Sequence, residues 1–150
     1  MSLRHLNTLY KAVILDHYQK PRHCHKLTDP TSKVDIYNPS CGDVLHIELK
    51  TEDEKIKEIG FTGEGCAISM ASASMMCEKV EGFNFSEAMD LHDVFQEMLI
   101  AEEEPEQRDL EEKLGEASLL VGVRQFPARV KCATLAWQAL AQALTKEGES

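Results

Sequence analysis

The chain has 150 residues, 43% of them hydrophobic, and a formal charge of −10. That length supports one domain, spanning 1–150, with a sizeable core. The acidity excludes a phosphate-backbone ligand, because no basic surplus exists to displace counterions. No stretch has the apolar length of a membrane span, and the N-terminus carries no basic-then-apolar leader. With an odd number of cysteines, five in all, reduced thiols in a cytoplasmic protein are expected rather than a disulfide framework. The expected partners are therefore neither nucleic acid nor membrane, and a basic docking surface on another protein would be attracted.

Leu6, Leu9, Tyr10, Val13, Ile14, His17 and Tyr18 recur at helical spacing and stop before Pro21. A polar stretch with Pro21 and Pro30 follows. Val34 and Ile36 then alternate with Asp35 and Tyr37, and Leu45, Ile47 and Leu49 alternate with His46, Glu48 and Lys50. A polar turn from Thr51 to Glu54 leads to a third strand through Ile59 and Phe61. These runs predict a three-stranded antiparallel meander with one buried face.

The remainder reads as helical. Ala67 to Val80 is almost wholly apolar or small, the pattern of a buried helix. Asn84 with Glu87 three residues later forms a capping-box start for a helix through Leu91, Phe95 and Met98. Ala101 to Glu106 is an acidic connection containing Pro105. Leu110, Leu114, Ala117 and Val121 mark one face of a further helix. Pro127 suits a first helical position, and Ala133, Trp137, Leu140 and Leu144 stripe the last helix. The predicted architecture is α+β, with helices packed mainly on one face of a small sheet.

Chemistry concentrates in three cysteines and a carboxylate. Cys41 and Asp43 share a turn ahead of the second strand, Cys66 closes the turn Gly63-Glu64-Gly65, and Cys132 lies near the start of the last helix. The glycine-rich turn lacks the further glycine of a dinucleotide loop, where Ile68 stands, and no Lys-Ser/Thr pair follows to cradle phosphate. Its reading is instead a tight strand-to-helix turn that presents Cys66 at a helix N-terminus, which favours a thiolate. Cys77 lies eleven residues further on, roughly 16 Å along a helix, too far to share a metal with Cys66, and reads as a core residue. Cys24, within His23-Cys24-His25, reads as a loop thiol. His5, His17, His46 and His92 show no ligand pattern. Arg129 shares a helical face with Cys132, where it either stabilises a sulfur anion or sits solvated. Three thiolates and one carboxylate suit tetrahedral zinc. Spacing alone leaves three unrelated buried thiols open as the competing reading.

The segments Ile14-Leu15-Asp16-His17-Tyr18 with Pro21-Arg22, Asn38 to Asp43, Phe61 to Ser69, and Arg129 to Trp137 resemble the IscU/NifU N-terminal family, specifically its SufU branch. The resemblance covers nearly the whole chain and implies the IscU-like α+β fold. It implies that Cys41, Asp43, Cys66 and Cys132 meet as metal ligands, and that the protein works in iron–sulfur cluster assembly. Lys131 replaces the histidine that precedes the third cysteine in IscU-type scaffolds. Phe126-Pro127-Ala128-Arg129-Val130-Lys131 replaces their Leu-Pro-Pro-Val-Lys chaperone motif, and extra residues lie around Met98 to Leu114. These departures imply a zinc-dependent sulfurtransferase that takes sulfur on Cys41 from a SufS-type cysteine desulfurase and passes it to a SufBCD-type assembly machinery. Arg129 is the expected helper beside the sulfur. The alternative cofactor is a [2Fe–2S] cluster or iron held by the same thiolates. Asp16, His17, Arg124 and Arg129 are the residues expected toward the desulfurase.

Overall fold

A computed structural model of the chain describes residues 3–40, 42–103 and 105–148, with side chains from 10 to 146. Cys41, one of the four expected ligands, lies outside them, as do the side chains of His5, Leu6 and Leu9. Helix α1 (Leu3–Gln19) leads into an irregular segment. Strands β1 (Ser32–Asn38), β2 (Asp43–Glu52) and β3 (Lys55–Glu64) follow, then helices α2 (Ala67–Val80), α3 (Phe85–Ile100) and α4 (Gln107–Leu114). A 3₁₀ segment, Gly115–Val123, connects to the final helix α5 (Pro127–Gly148). None of the described helices is long and apolar enough to cross a membrane.

The strands form the predicted antiparallel meander in the order β1-β2-β3. Ile47 sits at its centre, opposite Val34 on one side and Phe61 on the other. Alternation puts Leu45, Ile47, Leu49, Ile59 and Phe61 on the buried face, all fully enclosed. The β2–β3 turn places Asp53 and Glu54 at φ 54° and 59°, the left-handed pair that lets a two-residue hairpin follow strand twist. Against the other side of the sheet, Glu48 and Gly60 are cross-strand partners. The segment before β1 lies over them, with Leu27 N–H donating to Glu48 Oε1 at 3.0 Å and Phe61 N–H donating to His23 O at 2.9 Å.

Helices α2 and α5 pack against one another, with α5 on β1 and β2 and α2 on β3 and α1. Helix α2 is buried nearly all round, as its composition predicts. Its small residues let neighbouring helices approach closely, and its buried serines find partners at that range. Trp137 stacks on Phe95 at 4.4 Å between centroids and 11° between planes. Its indole N–H donates to Ser72 Oγ at 3.1 Å, and Ser72 donates to Ala133 O at 2.6 Å. One serine thus ties α2 to α5 twice. Asn84 caps α3 with both halves of the predicted box in place.

The helix expected through Leu110, Leu114, Ala117 and Val121 is two elements. Gly115, at φ 60°, ends α4, and the chain continues as a 3₁₀ turn that still buries Ala117, Leu119, Leu120 and Val123. Arg124 then reaches back, its two Nη atoms donating to Met98 O and Ala101 O at the C-terminal end of α3. This satisfies carbonyls that a helix end leaves without partners.

Two substitutions test the α2–α5 contact. Trp137→Ala is expected to cost about 3–5 kcal/mol, and Ser72→Ala about 1–3 kcal/mol, because it strands a buried indole N–H. Denaturant unfolding followed by circular dichroism reads both.

Candidate metal centre

The site begins where β2 starts. Asp43 is the first residue of β2 and is 1% exposed. Its Oδ1 accepts the backbone N–H of Cys66 at 2.9 Å, so the carboxylate lies at the N-terminus of α2, where the helix dipole favours negative charge. Two glycines make this approach feasible. Gly63 has φ 141°, and a Cβ there would lie 2.1 Å from Val44 O. A Cβ on Gly65 would lie 2.7 Å from Asp43 Oδ1 and 2.4 Å from Ser69 Oγ. The tight strand-to-helix turn read from the sequence is therefore present, and its glycines leave room for the carboxylate.

Cys66 is the N-cap of α2, its sulfur accepting the Ser69 N–H at 3.5 Å, and it opens to solvent. Cys132, on the second turn of α5, is 2% exposed. Its sulfur lies 3.7 Å from Asn38 Nδ2 and 3.5 Å from Ala128 O. Asn38, the last residue of β1, also accepts the Ser40 N–H on its side-chain oxygen and the Gly42 N–H on its carbonyl. It thereby links the β1–β2 turn to α5.

Ligand atoms of Asp43, Cys66 and Cys132 all lie within 4.8 Å of one another. Asp43 Oδ2 is buried with no hydrogen-bond partner among the described residues. Burying such an oxygen unpartnered is costly, and beside two sulfurs the natural partner is a metal ion. Zinc bound at about 2.0–2.3 Å by oxygen and sulfur fits this donor set, with an open position for a further ligand. Cys41, two residues before Asp43, lies outside the described residues.

Arg129 is exposed on the first turn of α5. Tyr10 of α1 joins the same neighbourhood. Burial raises its phenol pKa above the ordinary value, the Arg129 charge opposes that rise, and Cys66 adds to it. The helical spacing of the first segment marks Tyr10 only as part of a packing stripe, and nothing in that pattern distinguishes it from Val13 or Ile14. Cys77 is fully buried, and desolvation pushes its thiol far above the ordinary range, as its place on the α2 stripe predicts. Cys24 is exposed. Among the residues expected toward a desulfurase, Asp16 is paired with Arg22 at 2.6 Å, His17 is buried, and Arg124 is turned onto α3.

Fold and site together define an α+β protein in which a strand start and two helix starts gather one carboxylate and two thiols that could hold a metal ion. The NifU-like N terminal domain family matches residues 9–133, and the chain belongs to that family, which includes the IscU proteins of iron–sulfur cluster assembly. It is 45% identical over 150 residues to the iron–sulfur cluster assembly scaffold protein IscU of Streptococcus pyogenes, covering all of this chain and 91% of that one. It is 42% identical over 142 residues to the zinc-dependent sulfurtransferase SufU of Bacillus subtilis, covering 95% and 93%. Among solved structures, a candidate iron–sulfur cluster assembly scaffold protein for the SUF system from Fervidobacterium islandicum superposes with a TM-score of 0.82 at 30% identity, covering 92% and 98%. The IscU-like α+β fold expected from the sequence is thus confirmed.

Two measurements follow from this geometry. Asp43→Asn is expected to cost less than about 1 kcal/mol in metal-free protein, since it removes charge from a partnerless buried oxygen. The same variant loses most of the stabilisation that zinc gives the parent, as read from melting temperatures with and without zinc. Alkylation of the native metal-free protein is expected to modify Cys24 and Cys66 and to leave Cys77 untouched, as mapped by peptide mass spectrometry.

Proposed function

We propose that this chain is a zinc-dependent sulfurtransferase that accepts sulfur from a cysteine desulfurase of the SufS type and passes it to a SufBCD-type assembly machinery. The observation that carries the reading is the Asp43 carboxylate, buried with its Oδ2 lacking a hydrogen-bond partner and with an oxygen gathered with the sulfurs of Cys66 and Cys132. Support also comes from the similarity to the B. subtilis protein named for this activity. Lys131, where scaffolds carry a histidine, removes an imidazole ligand from the site.

In this reading Asp43, Cys66 and Cys132 hold zinc, with Cys41 as the fourth ligand. Bound zinc would keep thiols deprotonated without any change of redox state. Cys41 follows a turn of Asn38, Pro39 and Ser40 and precedes Gly42, which has φ 72° and open space where a Cβ would stand, so a partner can approach beside the acceptor. The Cys41 thiolate attacks the terminal sulfur of the desulfurase persulfide. A new sulfur–sulfur bond forms on Cys41, the bond within the donor persulfide breaks, and the donor cysteine leaves as a thiolate. No net oxidation or reduction occurs. Arg129, exposed at the rim, supplies positive charge where the anionic sulfur passes.

A second reading rests on the similarity to the streptococcal scaffold: the same thiolates assemble and release a [2Fe–2S] cluster. Metal analysis with an absorption spectrum separates the two. Colourless protein with stoichiometric zinc supports the relay, and a stable coloured cluster that transfers to an apo-acceptor supports the scaffold. For the relay, Cys41→Ser is expected to abolish uptake of labelled sulfur from the desulfurase, and uptake at the parental rate would refute it. Chelating zinc is expected to loosen the two turns flanking Asp43 while leaving helical circular dichroism intact, because the core around Trp137 does not depend on metal.

A further inference from the structure

We infer that the chain carries a second metal site, formed by His17, Glu78 and Glu116, that takes a first-row divalent cation through nitrogen and oxygen. These residues come from α1, α2 and the 3₁₀ segment, and their ligand atoms all lie within 4.8 Å of one another. Glu78 lies twelve residues after Cys66 on α2, roughly 18 Å along the axis at 1.5 Å per residue, so this site shares no ion with the cysteine site.

His17 is the anchor. It is 0% exposed, its Nδ1 lies 2.8 Å from Ser74 Oγ, and its Nε2 faces Glu116 Oε1 at 3.1 Å. Ser74 Oγ in turn accepts the Arg22 N–H at 2.8 Å, so the imidazole is held from behind. A hydrogen-bonded partner at the far ring nitrogen is the usual support of a metal-bound histidine. In front, a bare Nε2 and a carboxylate oxygen would be two acceptors facing each other. A positive centre must therefore lie between them, either a proton or a metal ion.

The proton serves His17 and Glu116 only. A divalent cation engages Glu78 as well, and neutralises two carboxylates that otherwise repel. Ligands bound at about 2.0–2.1 Å in a tetrahedral shell sit about 3.3 Å apart, close to the observed nitrogen–oxygen separation. Glu78 and Glu116 also line a cavity of about 290 Å³ together with Lys79, which admits ion and water to complete the shell. The charged groups facing the cluster are Lys79, across that cavity, and Arg22, which is paired with Asp16 and also feels both glutamates. One imidazole and two carboxylates select zinc, iron(II), cobalt(II) or manganese(II) over a soft monovalent ion.

The test is a cobalt(II) titration of the full chain, followed by equilibrium dialysis with metal analysis and by absorption spectroscopy. Cobalt on the cysteine site gives a sulfur-to-metal charge-transfer band, and cobalt on the second site gives none. A bound equivalent without that band is expected. Glu116→Gln and Glu78→Gln, both at exposed positions, are each expected to weaken it at least about tenfold, a scale that even outer-shell changes reach. Both are expected to leave the charge-transfer band and the circular dichroism unchanged. No such equivalent, or one whose affinity is unaltered in either variant, overturns the site. The readout does not depend on what the cysteine site holds or does.

Discussion

The hydrogen bond from the Cys66 backbone to Asp43 is the constraint on which the site depends. It fastens the first residue of β2 to the first turn of α2, twenty-three positions later in the chain. With that bond in place, one carboxylate oxygen is spent on the backbone and the other is left without a partner, in a carboxylate that lies beside two sulfurs. The price of that arrangement is an unsatisfied buried oxygen, a cost a fold tolerates where ligand binding relieves it. Gly65 of the β3–α2 turn serves the same contact, because a side chain there would displace the carboxylate.

Around this bond the structure is layered. Below it, the sheet and α2 form a closed core in which even the polar atoms are paired, as Ser72 shows by serving both Trp137 and Ala133. Above it, the β1–β2 turn is held by Asn38, which touches Cys132, Ser40 and Gly42 at once. The site therefore rests on a packed floor and is bordered by a turn that Asn38 ties to α5.

Much of this was legible in the residue pattern. Period-two alternation marked Leu45, Ile47 and Leu49 as the inward face of β2, and the Asn84–Glu87 pair marked the start of α3. The glycines before Cys66 announced a turn into a helix. What periodicity could not carry was tertiary. Ala117 and Val121 keep helical spacing across Gly115, yet that glycine takes a left-handed φ and the helix stops. Arg124, expected toward a desulfurase, is a backbone clamp. His17 sat on a stripe of apolar neighbours, and nothing local showed that Ser74 and Glu116 would meet its two nitrogens.

The Arg124 clamp has a topological consequence. By grasping the end of α3 just before α5 begins, it brings together the two ends of the excursion that contains α4. Between those ends the excursion still feeds the core, through Leu110, Leu114, Ala117, Leu120 and Val123. The stretch from Ala101 to Arg124 is thus closed like a buckled strap, clasped at its ends by one guanidinium and pinned along its length by apolar side chains.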